Sequence, residues 1–439
     1  MTERESTAAG ARVVGVGQDT IERKYRSLFR EDLRLGGVVS YVGNKSVPIL
    51  RLYRYKEAFS FAFVQELLRR FQLTGQDLLM DPFAGMGTTL FTAAVEGVPA
   101  IGLDKMPLAT FVARANQEFL ALRAGSLSEA FQTLRRRTPK ADLAPIADDV
   151  PLMSIAFNAE TLRTLRRMKT AIDELPSQVR NPMLLLFFAI LEGCSFTSKD
   201  GQFLRLLRDR KPAEPLDALE SKVRQAEEDV QRIQWLFPGS RNGFHPLPRV
   251  LDGDTRELSC LDIERKPTAI ITSPPYVNRY DYTRSYCVEL CFHFVRSFEE
   301  LKAIRFGILR SHIESKVSDS ERPAHPLLES VVKKLERKQL NNPRIPHMIV
   351  AYFNDMTKVL ASWKKTLASG AKVAMVVDNV RFEGEHIPVD CVLSDIAEDY
   401  GFETKEIIVA RYKGNSSQQM GKYGRFPVRE SILVWQKSA

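Results

Sequence analysis

Asp77-Leu78-Leu79-Met80-Asp81-Pro82-Phe83-Ala84-Gly85-Met86-Gly87-Thr88-Thr89 opens with a short apolar run, breaks at Pro82 and passes through two glycines into a helical pattern. The run predicts a strand over 77–80, and Leu90, Phe91, Ala94 and Val95 carry a helix over 88–96. Residues 98–103 read as a second strand ended by Asp104, and Pro107 sits where the next helix, 108–119, can begin. Strand, glycine turn, helix and a second strand closed by an acid together make the unit of a doubly wound nucleotide-type site. Gly85 and Gly87 let backbone approach a ligand closely, and Asp104 is placed to accept from ribose hydroxyls.

The same rhythm returns after Pro248. Arg249-Val250-Leu251 reads as a strand with Asp252-Gly253-Asp254 at its end, and Thr268-Ala269-Ile270-Ile271 as a buried strand stopped by Thr272-Ser273-Pro274-Pro275-Tyr276. Two prolines stiffen that turn and remove competing N–H groups, so Ser273 and Tyr276 are held rather than tethered. Ligands of an open α/β sheet bind beyond the carboxyl ends of its strands. The turn therefore offers acceptors to something flat, with an ordinary strand-ending turn as the plain alternative. Strands over 372–377, 406–411 and 430–435, with helices over 347–367 and 389–400, complete the pattern.

Residues 120–247 interrupt it. They are helix-rich and basic, with Arg135-Arg136-Arg137, Arg163, Arg166-Arg167, Arg205, Arg208 and Arg210. Leu216, Leu219, Val223, Ala226, Val230 and Ile233 recur three and four apart, a stripe better suited to the core of a helix bundle than to a dimer zipper. Residues 195–211 suit either phosphate contact or a solvated loop. The chain thus divides into a disordered tail (1–20), N-terminal helices with the first half of the α/β domain (21–119), a basic helical insertion (120–247), and the second half (248–439), itself carrying a basic insertion at 299–346.

Composition bounds the function. Of 439 residues, 63 are Lys or Arg and 54 Asp or Glu, so the net charge of +9 favours a polyanionic partner. Five cysteines with no CxxC pair and no histidine at zinc spacing argue for a reducing cytoplasm and no structural metal. The longest apolar run, 183–191, is too short to span a bilayer.

Asp-Pro-Phe-Ala-Gly-Met-Gly-Thr-Thr at 81–89 together with Thr-Ser-Pro-Pro-Tyr at 272–276 resembles the S-adenosylmethionine-dependent amino-group DNA methyltransferases, which methylate cytosine N4 or adenine N6. The resemblance covers roughly 45–118 and 248–437. It implies a Rossmann-like α/β fold, mostly parallel with an antiparallel last strand and interrupted by a helical insertion. It also implies a prokaryotic cytoplasmic setting, double-stranded DNA as partner, a cognate restriction endonuclease as an optional one, and neither membrane nor metal. By resemblance Asp81, Pro82, Phe83, Gly85, Gly87 and Thr88 form the cofactor loop and Asp104 holds its ribose. Asp254 reads its adenine, Tyr55, Lys56 and Phe59 close over its methionine end, and Ser273 borders it. Ser273, Pro274, Pro275 and Tyr276 are the catalytic motif. The cofactor loop precedes that motif, the reverse of the commonest order, so chain position does not locate the target-recognition region.

The chemistry suits these parts. An exocyclic amine is a poor nucleophile because its lone pair is delocalised; Ser273 Oγ and the Pro274 carbonyl can accept its hydrogens and free that pair, while Tyr276 stacks on the base. Ser at the first catalytic position leans towards cytosine N4. Asn278, Tyr280, Asp281 and Tyr282 could line the base pocket or simply form a packed aromatic loop, and Arg135, Arg136 and Arg137 are candidates for DNA backbone contacts. Other readings remain: an adenine-N6 enzyme on the same fold, an RNA guanine-N2 methyltransferase, and a DNA-binding module that has lost catalysis.

Overall fold

The computed structural model describes residues 16–199, 204–236, 247–318, 320–414, 424 and 426–439. Eight strands form the main sheet: β1 (Phe29–Glu31), β2 (Leu79–Asp81), β3 (Ala100–Asp104), β6 (Arg249–Asp252), β7 (Ala269–Thr272), β8 (Lys372–Asp378), β11 (Phe402–Lys413) and β12 (Val428–Lys437). The hairpins β4–β5 (Thr197–Ser198, Arg205–Leu206) and β9–β10 (Val380–Phe382, Glu385–Ile387) stand apart from it. The order across the main sheet is β1-β11-β12-β8-β7-β2-β3-β6. Every pairing is parallel except those of β12, which runs against both β11 and β8. This is the mixed, mostly parallel α/β sheet that the strand–turn–helix rhythm implies.

Alternation along the central strands divides two cores. Met80, Ile270, Val373, Met375 and Val377 face the helices Pro326–Glu336, Ile345–Thr366 and Val389–Asp399. Leu79, Ile271, Ala374 and Val376 face Phe61–Phe71 and Thr88–Val95. Period-two side chains on strands covered on both faces explain why these strands read as unbroken apolar runs. After β6 the chain crosses back to β7, next to β2, and that reversal opens a crevice at the carboxyl edge.

The helical insertion shares a third core with the α/β domain. Leu134, Leu165, Met183, Leu186 and Phe187 pack in one cluster with Leu108, Val112 and Phe119, and with Phe292 from the segment after β7. Leu219, Val223, Ala226, Val230 and Ile233 are buried in it, so the stripe on Pro215–Leu236 is bundle core. The apolar run within Ser177–Leu191 is buried almost all round.

Several local expectations change. The first helix, Val16–Tyr25, begins inside the stretch expected to be a tail, of which residues 1–15 lie outside the described residues. Residues 29–31, in the stretch 21–35 whose pattern reads as helical, form edge strand β1 because β11 supplies their partners from far along the chain. The basic stretch 299–346 holds the helices Phe298–Gly307 and Pro326–Glu336, and Arg305 and Arg310 pair internally with Asp281 and Asp355. No helix among the described residues is long and apolar enough to cross a membrane, and none of their His, Cys, Asp and Glu side chains cluster to hold a metal ion.

Candidate active site

Four strand ends converge on one cleft. Pro82, Phe83 and Gly85 follow β2, Lys105 and Met106 extend β3 past Asp104, Asp254 follows β6, and Ser273 and Pro275 follow β7. With Tyr55, Glu57, Tyr282, Ile308 and Leu309 they border about 650 Å³, open mouth included. Gly85 takes a positive φ of 51°, which turns its N–H towards Asp104 Oδ2 at 3.0 Å; Met106 N–H donates to Oδ1 at 2.9 Å. Burial holds Asp104 above the usual carboxylate range, against the pull of these backbone donors. The loop amide that would cradle a pyrophosphate is therefore already bound to a carboxylate. A cleft bordered by Glu57, Asp104 and Asp254 suits a ligand bearing hydroxyls, an amine and positive charge.

Burial would also raise Asp254, but Arg256 outweighs it, donating from its backbone N–H at 3.0 Å and its guanidinium at 2.8 and 2.6 Å, and the carboxyl lies below its ordinary value. Arg256 in turn reaches Asp355 and the Gly307 carbonyl. The Tyr55 ring stacks on Tyr286, 4.8 Å between centroids and 11° from parallel. The Tyr286 hydroxyl donates to Glu57 at 2.5 Å and accepts from Lys56 N–H at 3.2 Å. Lys199, just past β4, pairs with buried Glu289 and lies over the Tyr53 and Tyr286 rings at 4.9 and 4.7 Å. The insertion thus reaches Tyr286, the ring that backs Tyr55 in the cleft wall.

Three cofactor-loop candidates lie beneath the cleft rather than on its surface. Gly87, at φ 79°, packs so closely on the next helix that a Cβ would come within 2.8 Å of Ala113 Cβ. Thr88 is buried, with Asn44 donating to its hydroxyl at 3.4 Å. Asp81 Oδ1 accepts from Thr272 Oγ1 at 2.7 Å and from Phe83 N–H at 3.2 Å, tying the ends of β2 and β7 together. Burial raises the Asp81 pKa to about 6, with Thr89, Thr272 and the Phe83 amide pulling the other way. A raised folded-state pKa stabilises the fold fully below the unfolded value, and that contribution is lost as pH rises through about 6. Asp81→Asn keeps an Oδ1 acceptor for both donors and escapes this loss. Its melting temperature relative to the parent should rise between pH 4.5 and 7.5, equivalent to about 1–3 kcal/mol. An unchanged difference across that range would refute the burial account.

A second hollow of about 780 Å³ lies on the other side of the Ser273 turn. Ser273, Glu57 and Tyr282 border both spaces. Pro274, Tyr276, Asn278 and Tyr280 line the second, as do Lys56 and Phe59, so those two stand across the turn from the space that holds Tyr55. Ser273 Oγ is 3.4 Å from both Tyr276 Oη and the Val376 carbonyl, long contacts that leave the hydroxyl open to other partners. The Tyr276 hydroxyl donates to Glu430 at 3.2 Å.

Asp281 borders neither space. It caps the short helix Tyr282–Ser285, accepting from Thr283 N–H at 2.9 Å, and pairs with Arg305 at 2.8 Å. Arg135, Arg136 and Arg137 end the helix Ser126–Arg137 away from both spaces, exposed, with Glu220 3.7 Å from Arg135 and Glu174 3.4 Å from Arg137.

Sequence reasoning missed Glu57, Arg256, Asp378, Arg411, Lys413 and Glu430. A signal existed for Asp378, an acid ending a strand like Asp104. Glu430 gave none, because it lies near the start of its strand. Only the reversal of β12 brings that beginning to the edge where the parallel strands end.

No family model matches the chain. The Type II methyltransferase M.BsoBI of Geobacillus stearothermophilus is 31% identical over 468 residues, covering 95% of this chain and 91% of the relative. The Type II methyltransferase M.AvaI of Nostoc sp. is 31% identical over 456 residues, covering 95% and 92%. Among solved structures, the rRNA methyltransferase aviRa of Streptomyces viridochromogenes matches 88% of this chain and 89% of its own at 12% identity and a TM-score of 0.33. TrmN of Thermus thermophilus matches 86% and 48% at 10% identity and 0.26. Likenesses this weak carry no argument about this chain.

Proposed function

Because the chain belongs to the Type II methyltransferase family, we propose that it methylates the exocyclic N4 amine of a cytosine everted from double-stranded DNA, using S-adenosylmethionine. The observation that carries this reading is the Ser273 turn, which borders two spaces at once. A methyl donor on one side and a base on the other meet across it.

The first cleft fits S-adenosylmethionine by the chemistry of its walls. Phe83, Met106, Ile308 and Leu309 offer apolar surface to an adenine; Asp104 and Asp254 offer acceptors to ribose hydroxyls and an exocyclic amine. Glu57 adds negative charge near the end where a sulfonium would lie. When bound, the cofactor supplies an electrophilic methyl group. Ser273 Oγ and the Pro274 carbonyl accept the hydrogens of the target amine, draw nitrogen towards tetrahedral geometry and stabilise the positive charge that develops there. Tyr276, Tyr280 and Tyr282 give the base flat surfaces on which to stack once it has left the duplex.

The net charge of +9 supports a polyanionic substrate. Replacing Arg135, Arg136 and Arg137 with glutamine should weaken DNA binding and flatten the dependence of log Kd on log salt by up to about 3. The modified sequence should stay the same. An unchanged slope would place these side chains outside the DNA interface. The setting of this activity is a prokaryotic cytoplasm, where a cognate endonuclease is an optional partner.

The decisive experiment incubates purified protein and S-adenosylmethionine with genomic DNA and identifies the modified base after nuclease digestion. N4-methylcytosine supports the reading. N6-methyladenine would select the adenine alternative, methylation of RNA alone would reject DNA as substrate, and absence of cofactor binding in calorimetry would support the inert module.

A further inference from the structure

Arg411 of β11, Glu430 of β12 and Asp378 of β8 stand directly opposite one another across three neighbouring strands. Their side chains therefore leave the sheet on one face. Lys413 bridges the two acids, with Nζ 3.0 Å from Asp378 Oδ2 and 2.7 Å from Glu430 Oε1, and Arg411 pairs with Glu430 Oε2. All four border the second hollow, beside Ser273 and Tyr276.

Charges this close to the interior are costly unless paired, and Glu430 is only 2% exposed. The cluster is neutral in sum, so it is a rigid arrangement rather than an attractive patch for phosphate. It is also unfinished. Of the three N–H donors of Lys413, two have partners among the described residues, and Asp378 Oδ1 has none there. Lys413 Nζ lies 5.5 Å from the centre of the Tyr276 ring, the surface on which a base would stack. Burial raises the Asp378 pKa to about 6 despite Lys413, so the carboxylate is still ionised at neutral pH and holds the ammonium in place.

We propose that Lys413, held by Asp378 and Glu430, is the base-specificity residue of the target pocket and donates its remaining N–H to the carbonyl oxygen of an everted cytosine. This rests on the amino-methylation reading above. Beyond its amine, the pairing edge of cytosine presents a ring nitrogen and then a carbonyl oxygen, both acceptors; that of adenine presents a ring nitrogen and then a C–H. An ammonium set beyond the amine subsite finds an acceptor on cytosine and a hydrogen on adenine.

The test compares the parent, Lys413→Met and the double variant Lys413→Met/Asp378→Asn, which restores charge balance. Each is assayed on genomic DNA with S-adenosylmethionine for N4-methylcytosine and N6-methyladenine, alongside thermal melting and cofactor calorimetry. The parent should form N4-methylcytosine; a parent forming only N6-methyladenine defeats the cytosine reading and this proposal with it. Given a cytosine-methylating parent, Lys413→Met should lower the rate by about 100-fold with cofactor affinity within about threefold, and the double variant should stay equally slow. Recovery of the parental rate in the double variant would show that Lys413 only neutralises Asp378, and would overturn the proposal while leaving the activity intact. Should the single variant melt too low for assay, the double variant alone decides by the same criterion.

Discussion

A Ser273→Ala enzyme should bind S-adenosylmethionine as the parent does and transfer its methyl group about 10²–10³-fold more slowly. The hydroxyl is one of two acceptors assigned to the target amine, and the Pro274 carbonyl survives the substitution. Because Ser273 Oγ makes only 3.4 Å contacts to Tyr276 and Val376, its loss should cost about 0.5 kcal/mol of stability or less. A large fall in turnover with unchanged calorimetry is thus specific to chemistry. Parental turnover would remove Ser273 from the catalytic role.

Asp104→Ala should weaken cofactor binding by about 100-fold. The carboxylate accepts from the Gly85 and Met106 amides at 3.0 and 2.9 Å, and its removal leaves the turn without its organiser as well as depriving the ribose of an acceptor. Hydrogen bonds to a charged acceptor are worth about 1.5–3 kcal/mol each, which sets that magnitude. Titration calorimetry without DNA reads the effect directly. Affinity within threefold of the parent would mean that Asp104 does not contact the ligand, and the ribose assignment would fall.

These two residues were legible because their signals are local. A strand ended by a carboxylate, and a strand ended by Pro-Pro beside a serine, follow from dihedral restriction and apolar runs only a few residues long. Asp281 shows where such reasoning fails. Its neighbours Tyr280 and Tyr282 made it look like a pocket residue, yet an Asp before a short helix is also an N-cap, and Arg305 supplies the counter-charge. Lys56 and Phe59 were read as a unit with Tyr55, but Tyr55 borders one space and they border the other.

The sheet class, the glycine turn after β2, the acid that ends β3 and the stiff turn after β7 are legible in the chain, because each depends on near neighbours. The folded sheet sets which strand ends adjoin. It set β7 beside β2, packed the helical insertion against Phe292, and aligned Asp378, Glu430 and Arg411 on three strands across a row that only the reversed direction of β12 makes possible. Register and strand direction are fixed by burial summed over the whole sheet, so no short stretch contains them.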